Sequence, residues 1–214
     1  MDIAAVFDFD GTLMDTEPAI MASFEHVFEI YGRKEDFTQE RRIEVLGPAL
    51  DVMMKRFFPQ EDPWEVVAEY RRFQRENLRS LIHPMPGAMA MLAKLSVMDV
   101  PCAIVSTRYY KSLIELLRQN HMEGFMSVVL GNDSVTKGKP DPEGILKAWK
   151  KMGRTHCFYI GDSVMDVEAG KNADAVTVAY PSNEGKRADL LAAKPDYLIE
   201  SLAELPAILE ESGY

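Results

Sequence analysis

The residues of this sequence whose types and spacing could do chemistry lie in four short segments. Asp8-Phe9-Asp10-Gly11-Thr12 follows an apolar run at 3–7. In an extended chain residues two apart share a face, so Asp8 and Asp10 point the same way. They do so at a strand's C-terminal end, where open α/β sheets bind ligands. Gly11 lets the backbone leave the strand through a conformation that other residues rarely adopt. Paired acids suit proton transfer or metal binding, and a solvated acidic turn is the plainer alternative. A calcium loop is excluded, because it needs glycine at its sixth position and glutamate at its twelfth; here Gly11 comes too early after Asp8.

Ser106-Thr107-Arg108 follows the apolar run 102–105. A hydroxyl and backbone N–H groups at a strand end can hold an anion, and a helix N-cap uses the same residue types. In Lys137-Gly138-Lys139-Pro140-Asp141-Pro142, Pro140 biases Lys139 toward extended backbone. Held there, its ammonium could neutralise a carboxylate and a phosphate together; the alternative is a solvated loop lysine. Gly161-Asp162-Ser163-Val164-Met165-Asp166 follows the run 157–160. If a helix begins after Asp162, Asp166 can face the same pocket. Two such acids suit Mg²⁺, and a helix cap with an acid in its first turn is the alternative.

These segments need a scaffold that gathers them. Short apolar runs recur at 3–7, 102–105, 127–130, 157–160 and 175–179, with a weaker one at 197–199. Runs without alternation read as strands covered on both faces. Helix-period patterns at 109–120, 142–152 and 163–173 lie between them, which predicts an α/β fold with a doubly wound, mainly parallel sheet. Each segment then reaches the C-terminal edge of that sheet. Residues 15–82 break the rhythm with helical patterns only, at 17–31, 38–46, 49–58 and 63–82, separated by Gly32, Gly47-Pro48 and Phe58-Pro59. The expected organisation is a core of 1–14 and 83–214 with an inserted helical cap at 15–82. His83-Pro84-Met85-Pro86-Gly87 punctuates the return.

Metal-binding acids, two phosphate-holding groups and a spare carboxylate suit phosphoryl transfer, in which stabilising charge on phosphoryl oxygens is the main task. The composition agrees. Lys and Arg number 24 against 34 Asp and Glu, a net charge of −10, which weighs against nucleic acid or an anionic membrane as partner. No stretch approaches the roughly 20 apolar residues of a membrane span, and the first residues lack the basic flank of a signal peptide. Cys102 and Cys157 sit beside apolar runs, as free thiols of a reducing compartment do. The expectation is a soluble, cytoplasmic monomer or homodimer acting on a small phosphorylated substrate.

Asp8-Phe9-Asp10-Gly11-Thr12-Leu13-Met14-Asp15-Thr16 resembles motif one of the haloacid dehalogenase-like hydrolase superfamily, and Ser106, Lys139 and the segment from Gly161 to Asp166 resemble motifs two, three and four. The helical block resembles the subclass with an α-helical cap on a Rossmann-like core. The resemblance implies that Asp8 is a nucleophile forming an aspartyl-phosphate, and that Asp10 protonates the leaving group and then activates water. It implies Mg²⁺ held by Asp8, the backbone carbonyl of Asp10, Asp162 and, through water, Asp166. Ser106, Thr107 and Lys139 would bind the phosphoryl group. Mg²⁺ and Lys139 would keep Asp8 ionised while a neighbouring carboxylate is pushed toward its protonated form.

Asp10 favours phosphate chemistry, since the dehalogenases and phosphonatases of the superfamily lack an Asp at the matching position. Leu46-Gly47-Pro48-Ala49-Leu50, Val105-Ser106-Thr107-Arg108 and Lys139-Pro140-Asp141-Pro142 look most like the phosphoglycolate phosphatase and PpaX-type pyrophosphatase branch. Thr107-Arg108 departs from the Asn-Lys common after motif two. The implied activity is Mg²⁺-dependent removal of phosphate from a phosphoglycolate-type monoester or pyrophosphate. A β-phosphoglucomutase-like phosphomutase, or a non-catalytic phosphoacceptor module, would use a similar set. The cap is expected to set specificity by closing over the site; Gly47, Pro48, Lys55, Arg79 and Arg108 are the candidate substrate contacts.

Overall fold

The computed structural model describes all 214 residues. The chain begins with β1 (Ile3–Phe7) and β2 (Met14–Asp15), then runs through four helices, α1 (Glu17–Ile30), α2 (Gln39–Glu44), α3 (Leu50–Phe57) and α4 (Pro63–Asn77). After β3 (His83–Pro84) come α5 (Ala88–Val97), β4 (Cys102–Val105), α6 (Tyr110–Gln119), β5 (Met126–Leu130) and α7 (Glu143–Met152). β6 (His156–Gly161), α8 (Val164–Asn172), β7 (Val176–Ala179), α9 (Arg187–Ala192), β8 (Tyr197–Leu198) and α10 (Leu205–Glu211) complete it. The chain divides into two compact units, Met1–Met14 with Pro84–Tyr214, and Asp15–His83. No helix is long and apolar enough to cross a membrane.

The first unit is built on a six-stranded sheet in the order β5-β4-β1-β6-β7-β8, every pairing parallel. This is the doubly wound arrangement that the apolar runs predict. β1 lies at its centre, with Phe7 opposite Ile104 of β4 and Ile160 of β6. All five of its residues are fully buried, as a strand paired on both sides and covered on both faces requires. The strand order reverses around β1, so the ends of β1, β4 and β6 border the crevice in which such sheets bind ligands. β5 departs from the expected double cover: as an edge strand it leaves most of its residues partly exposed.

Helix starts follow local chemistry. In α8, Ser163 caps the first turn while Asp166 reaches back to the Ser163 N–H, a reciprocal box that satisfies two otherwise unpaired donors. α7 starts directly after Pro142, whose fixed φ suits a helix start.

The Asp15–His83 unit has its own core. Phe28 is at its centre, with ring centroids 5.0 Å from Phe37, 4.9 Å from Phe58 and 5.7 Å from Phe57. α1 packs on α4, and the buried Gln74 amide donates to Ser23 Oγ at 3.3 Å. The helices are shorter than their sequence patterns. The pattern over 63–82 yields α4 only to Asn77, followed by a 3₁₀ turn at Arg79–Leu81. There the Asn77 side-chain amide turns back onto the Phe73 carbonyl (3.0 Å), the local bonding by which Asn competes with regular helix.

Glu69 of α4 accepts from Arg72 Nε and Nη2 at 2.9 and 2.7 Å and lies 2.7 Å from His26 Nε2. Those hydrogen bonds pull its carboxyl down to about 2. A depressed folded-state value means that the stabilisation is present above the ordinary carboxylate range and is lost as pH falls toward 2. Denaturant melts between pH 2.5 and 6 should therefore show Glu69→Gln less stable than wild type at pH 6, with the difference closing as pH falls.

Candidate active site

The turn after β1 sets the geometry. The Phe9 carbonyl accepts from both Leu13 N–H (3.1 Å) and Met14 N–H (3.0 Å), which folds Asp10, Gly11 and Thr12 into a tight loop over the strand end. Gly11 has φ +80°, and a Cβ built on it would lie 2.1 Å from Asp162 Oδ2. Only glycine satisfies both the left-handed backbone and the close approach. Gly161, the last residue of β6, leaves room of the same kind for α8, since a Cβ there would lie 2.3 Å from that of Asp166.

Asp8, Asp162 and Asp166 are all buried, and each offers a carboxylate oxygen within 4.8 Å of the others. Lys139 joins two of them, with Nζ 2.7 Å from Asp8 Oδ1 and 2.6 Å from Asp166 Oδ1. Burial works against the Lys139 charge, but Asp166 and Asp8 outweigh it and hold the ammonium well above its ordinary value. Burial likewise pushes against the Asp166 charge; Lys139, Ser163 and Tyr159 overcome it and hold that carboxyl below its usual range. The Tyr159 hydroxyl lies 3.1 Å from Asp166 Oδ1. Asp162 accepts from Ser182 Oγ at 2.8 Å and from Lys186, and burial still raises its carboxyl.

Burial pushes the Asp8 carboxyl up to about 8 against the pull of Lys139, helped by the charges of Asp166, Asp162 and Asp10. The expectation that Asp8 is kept ionised counts Mg²⁺ beside Lys139, and Lys139 by itself does not offset the burial. Asp8 is buried among other acids, whereas Asp10 is more exposed and faces Arg108. Four carboxylates here meet three cationic side chains, Lys139, Lys186 and Arg108. A divalent cation among Asp8, Asp162 and Asp166 is the charge that would return Asp8 to its carboxylate form, and an all-oxygen donor set suits a hard cation. The residues fit a metal of that kind.

Ser106 directly follows β4, as Asp8 directly follows its neighbour β1. It is buried, its N–H donates to the Leu130 carbonyl, and its Oγ accepts from Arg108 N–H at 3.1 Å. Thr107 follows it, half-buried. Asp10 turns its carboxylate to Arg108, with Nη2 2.6 Å from Oδ1 and Nε 3.1 Å from Oδ2, and does not join the acid cluster. Arg108, a candidate for substrate contact, is thus engaged by a protein carboxylate. The other four specificity candidates belong to the Asp15–His83 unit. Gly47 (φ +104°) and Pro48 form the loop between α2 and α3, Lys55 faces Asp51 (3.4 Å) and the Trp64 ring, and Arg79 is exposed.

Three site residues escape the sequence reading. Tyr159 lies inside an apolar strand, and its only signal is that it shares a face with Gly161 two residues on. Ser182 and Lys186 follow β7, another parallel strand end, but without a recognisable motif.

Removing Lys139 leaves Asp8 and Asp166 buried without their shared cation. Lys139→Met should cost about 3–5 kcal/mol, with a larger rise in melting temperature on adding Mg²⁺ than wild type shows. Gly11→Ala should drive Asp162 out of place and weaken divalent-cation binding, measured by calorimetry, by at least roughly tenfold, the effect of losing one charged ligand interaction.

A family model described as haloacid dehalogenase-like hydrolase matches residues 5–180. The chain is 31% identical over 208 residues to pyrophosphatase PpaX of Listeria monocytogenes, an alignment covering 96% of this chain and 95% of that protein. It is also 31% identical over 213 residues to pyrophosphatase PpaX of Halalkalibacterium halodurans, covering 96% of each. Among solved structures, a haloacid dehalogenase-like family hydrolase from Streptococcus pneumoniae superposes with a TM-score of 0.82 at 22% identity, covering 97% of this chain and 99% of that one, which bears on the fold alone. With the match spanning most of the chain and the acid cluster in place at the sheet edge, this protein belongs to the haloacid dehalogenase-like hydrolase family and is one of its enzymes.

Proposed function

We propose that this enzyme is a Mg²⁺-dependent phosphatase of small phosphorylated metabolites, with a phosphoglycolate-type monoester or pyrophosphate as substrate. The observation that carries the reading is the buried set of Asp8, Asp162 and Asp166, with Lys139 bridging Asp8 and Asp166. The relatives named pyrophosphatase PpaX support the substrate class. The acidic net charge of −10 supports a small molecule in preference to nucleic acid.

Asp8, Asp162 and Asp166, with the backbone carbonyl of Asp10, would hold Mg²⁺, which when bound supplies positive charge to the phosphoryl oxygens and keeps Asp8 ionised. Ser106 Oγ, the Thr107 N–H and Lys139 Nζ bind the phosphoryl oxygens and keep that charge in place through the transition state. A carboxylate oxygen of Asp8 attacks phosphorus, and the bond to the leaving oxygen breaks with its electron pair. Asp10 donates a proton to that oxygen. Asp10 then takes a proton from water as the water attacks the phosphorus of the aspartyl-phosphate, which releases phosphate and restores Asp8. Lys139 holds Asp8 and Asp166 in position during both halves. Selection of the substrate is assigned to the helical Asp15–His83 unit.

The test is phosphate release from pyrophosphate, phosphoglycolate, a sugar phosphate and p-nitrophenyl phosphate, with and without Mg²⁺. Release should require the metal, and Asp8→Asn should lower kcat by at least roughly a thousandfold. Wild-type turnover in Asp8→Asn would overturn the mechanism. Isomer formation from the sugar phosphate, in place of phosphate release, would favour a phosphomutase on the same residues.

A further inference from the structure

The mechanism above gives Arg108 no part, yet Arg108 grips the Asp10 carboxylate. Its Nη2 is 2.6 Å from Asp10 Oδ1, and its Nε is 3.2 and 3.1 Å from the two carboxylate oxygens. Nη1 donates to Ser112 Oγ at 3.2 Å, which braces the guanidinium from α6. The two side chains are only 12% and 23% exposed, so this is a part-buried fork and not a surface pair. The Arg108 N–H donates to Ser106 Oγ, which anchors the arginine on the loop that holds the phosphoryl group.

The contact conflicts with the role of Asp10. Donation to a leaving oxygen needs a proton on Asp10, and a carboxylate that accepts from the guanidinium at both oxygens carries none. The fork must open during turnover. A guanidinium gives up a two-pronged carboxylate contact readily only for another oxyanion of comparable charge and shape; otherwise a part-buried cation loses its ion-pair partner. We infer that Arg108 is a latch on Asp10, opened by a second anionic group on the substrate. That group, a carboxylate or a second phosphate on the leaving portion, takes the guanidinium, and Asp10, no longer held ionised by the arginine, takes a proton from solvent and carries it to the leaving oxygen. Substrates lacking the group leave the latch shut and turn over slowly even when bound. The inference rests on the phosphatase reading and narrows its substrates to those with two anionic groups; Arg108 is a positioning and specificity residue, acting through Asp10.

The experiment compares wild type, Arg108→Gln and Arg108→Lys in Mg²⁺, using p-nitrophenyl phosphate, phosphoglycolate and pyrophosphate. Arg108→Gln should raise kcat severalfold on p-nitrophenyl phosphate, which has no second anion. It should lower kcat/KM by roughly tenfold or more on whichever of the other two carries the natural second group, the scale of losing a charge-assisted hydrogen-bond pair. Arg108→Lys keeps the charge without the fork and should fall between. Equal losses on all three substrates, or no change on any, would overturn the latch.

Calorimetric binding of methylenediphosphonate against methylphosphonate separates this from the phosphatase reading, because neither compound is hydrolysed. Wild type should prefer the two-group probe by about tenfold, and Arg108→Gln should lose that preference. An unchanged preference overturns the latch whatever the turnover. An Arg108-dependent preference in a protein that releases no phosphate supports recognition of the second anion while overturning the phosphatase reading.

Discussion

Asp8, Asp162 and Asp166 crowd like charges into the interior of the molecule, with ligand oxygens all within 4.8 Å of one another. Carboxylates so placed repel one another and lose the hydration that would screen them, and the surrounding structure is arranged to contain that repulsion. Lys139 lies between Asp8 and Asp166, Lys186 meets Asp162, and Ser163 and Tyr159 donate to Asp166. None of these groups would be held in place without a rigid backing. The central strand β1 supplies it, fully buried and paired in parallel on both sides.

The same crowding that costs stability gives the site its chemistry. A carboxyl pushed up to about 8 by burial and by neighbouring charge is out of balance in the protein's own field, and strongly perturbed groups of this kind mark functional sites. Glycine permits the crowding: Gly11 and Gly161 let backbone approach the Asp162 and Asp166 side chains at distances where any Cβ would collide. Asp10 sits outside the cluster on the same turn, tied to Arg108, so the two acids of one short motif have different surroundings. Environment separates their roles, since their residue type is the same.

Much of this was legible in the sequence because short buried strands leave an unambiguous trace. The runs ending before Asp8, Ser106 and Asp162 became β1, β4 and β6, and a parallel sheet necessarily brings their C-terminal ends to one edge. The reading was weaker where a pattern is shared by two outcomes. The apolar run in β5 did not reveal an edge strand, because exposure depends on which neighbours the sheet provides. The helical pattern over 63–82 ran past Asn77, where side-chain bonding to the Phe73 carbonyl accompanies the end of α4.

By itself the sequence determined which residues stand at the strand ends, because apolar runs and glycine punctuation are local properties, set by the order of side chains along the chain. It also pointed to the acids after β1 and β6 meeting at one sheet edge, since the C-terminal ends of parallel strands share that edge. Only the tertiary structure decided how their charges are shared. That Lys139 spans two acids, that Tyr159 supports one of them, that Ser182 and Lys186 meet Asp162, and that Asp10 faces Arg108 are contacts between residues distant in sequence. The physical reason is that electrostatic energy depends on separation and burial, both of which are set by the packing of elements against one another. The order of residues along the chain encodes neither directly.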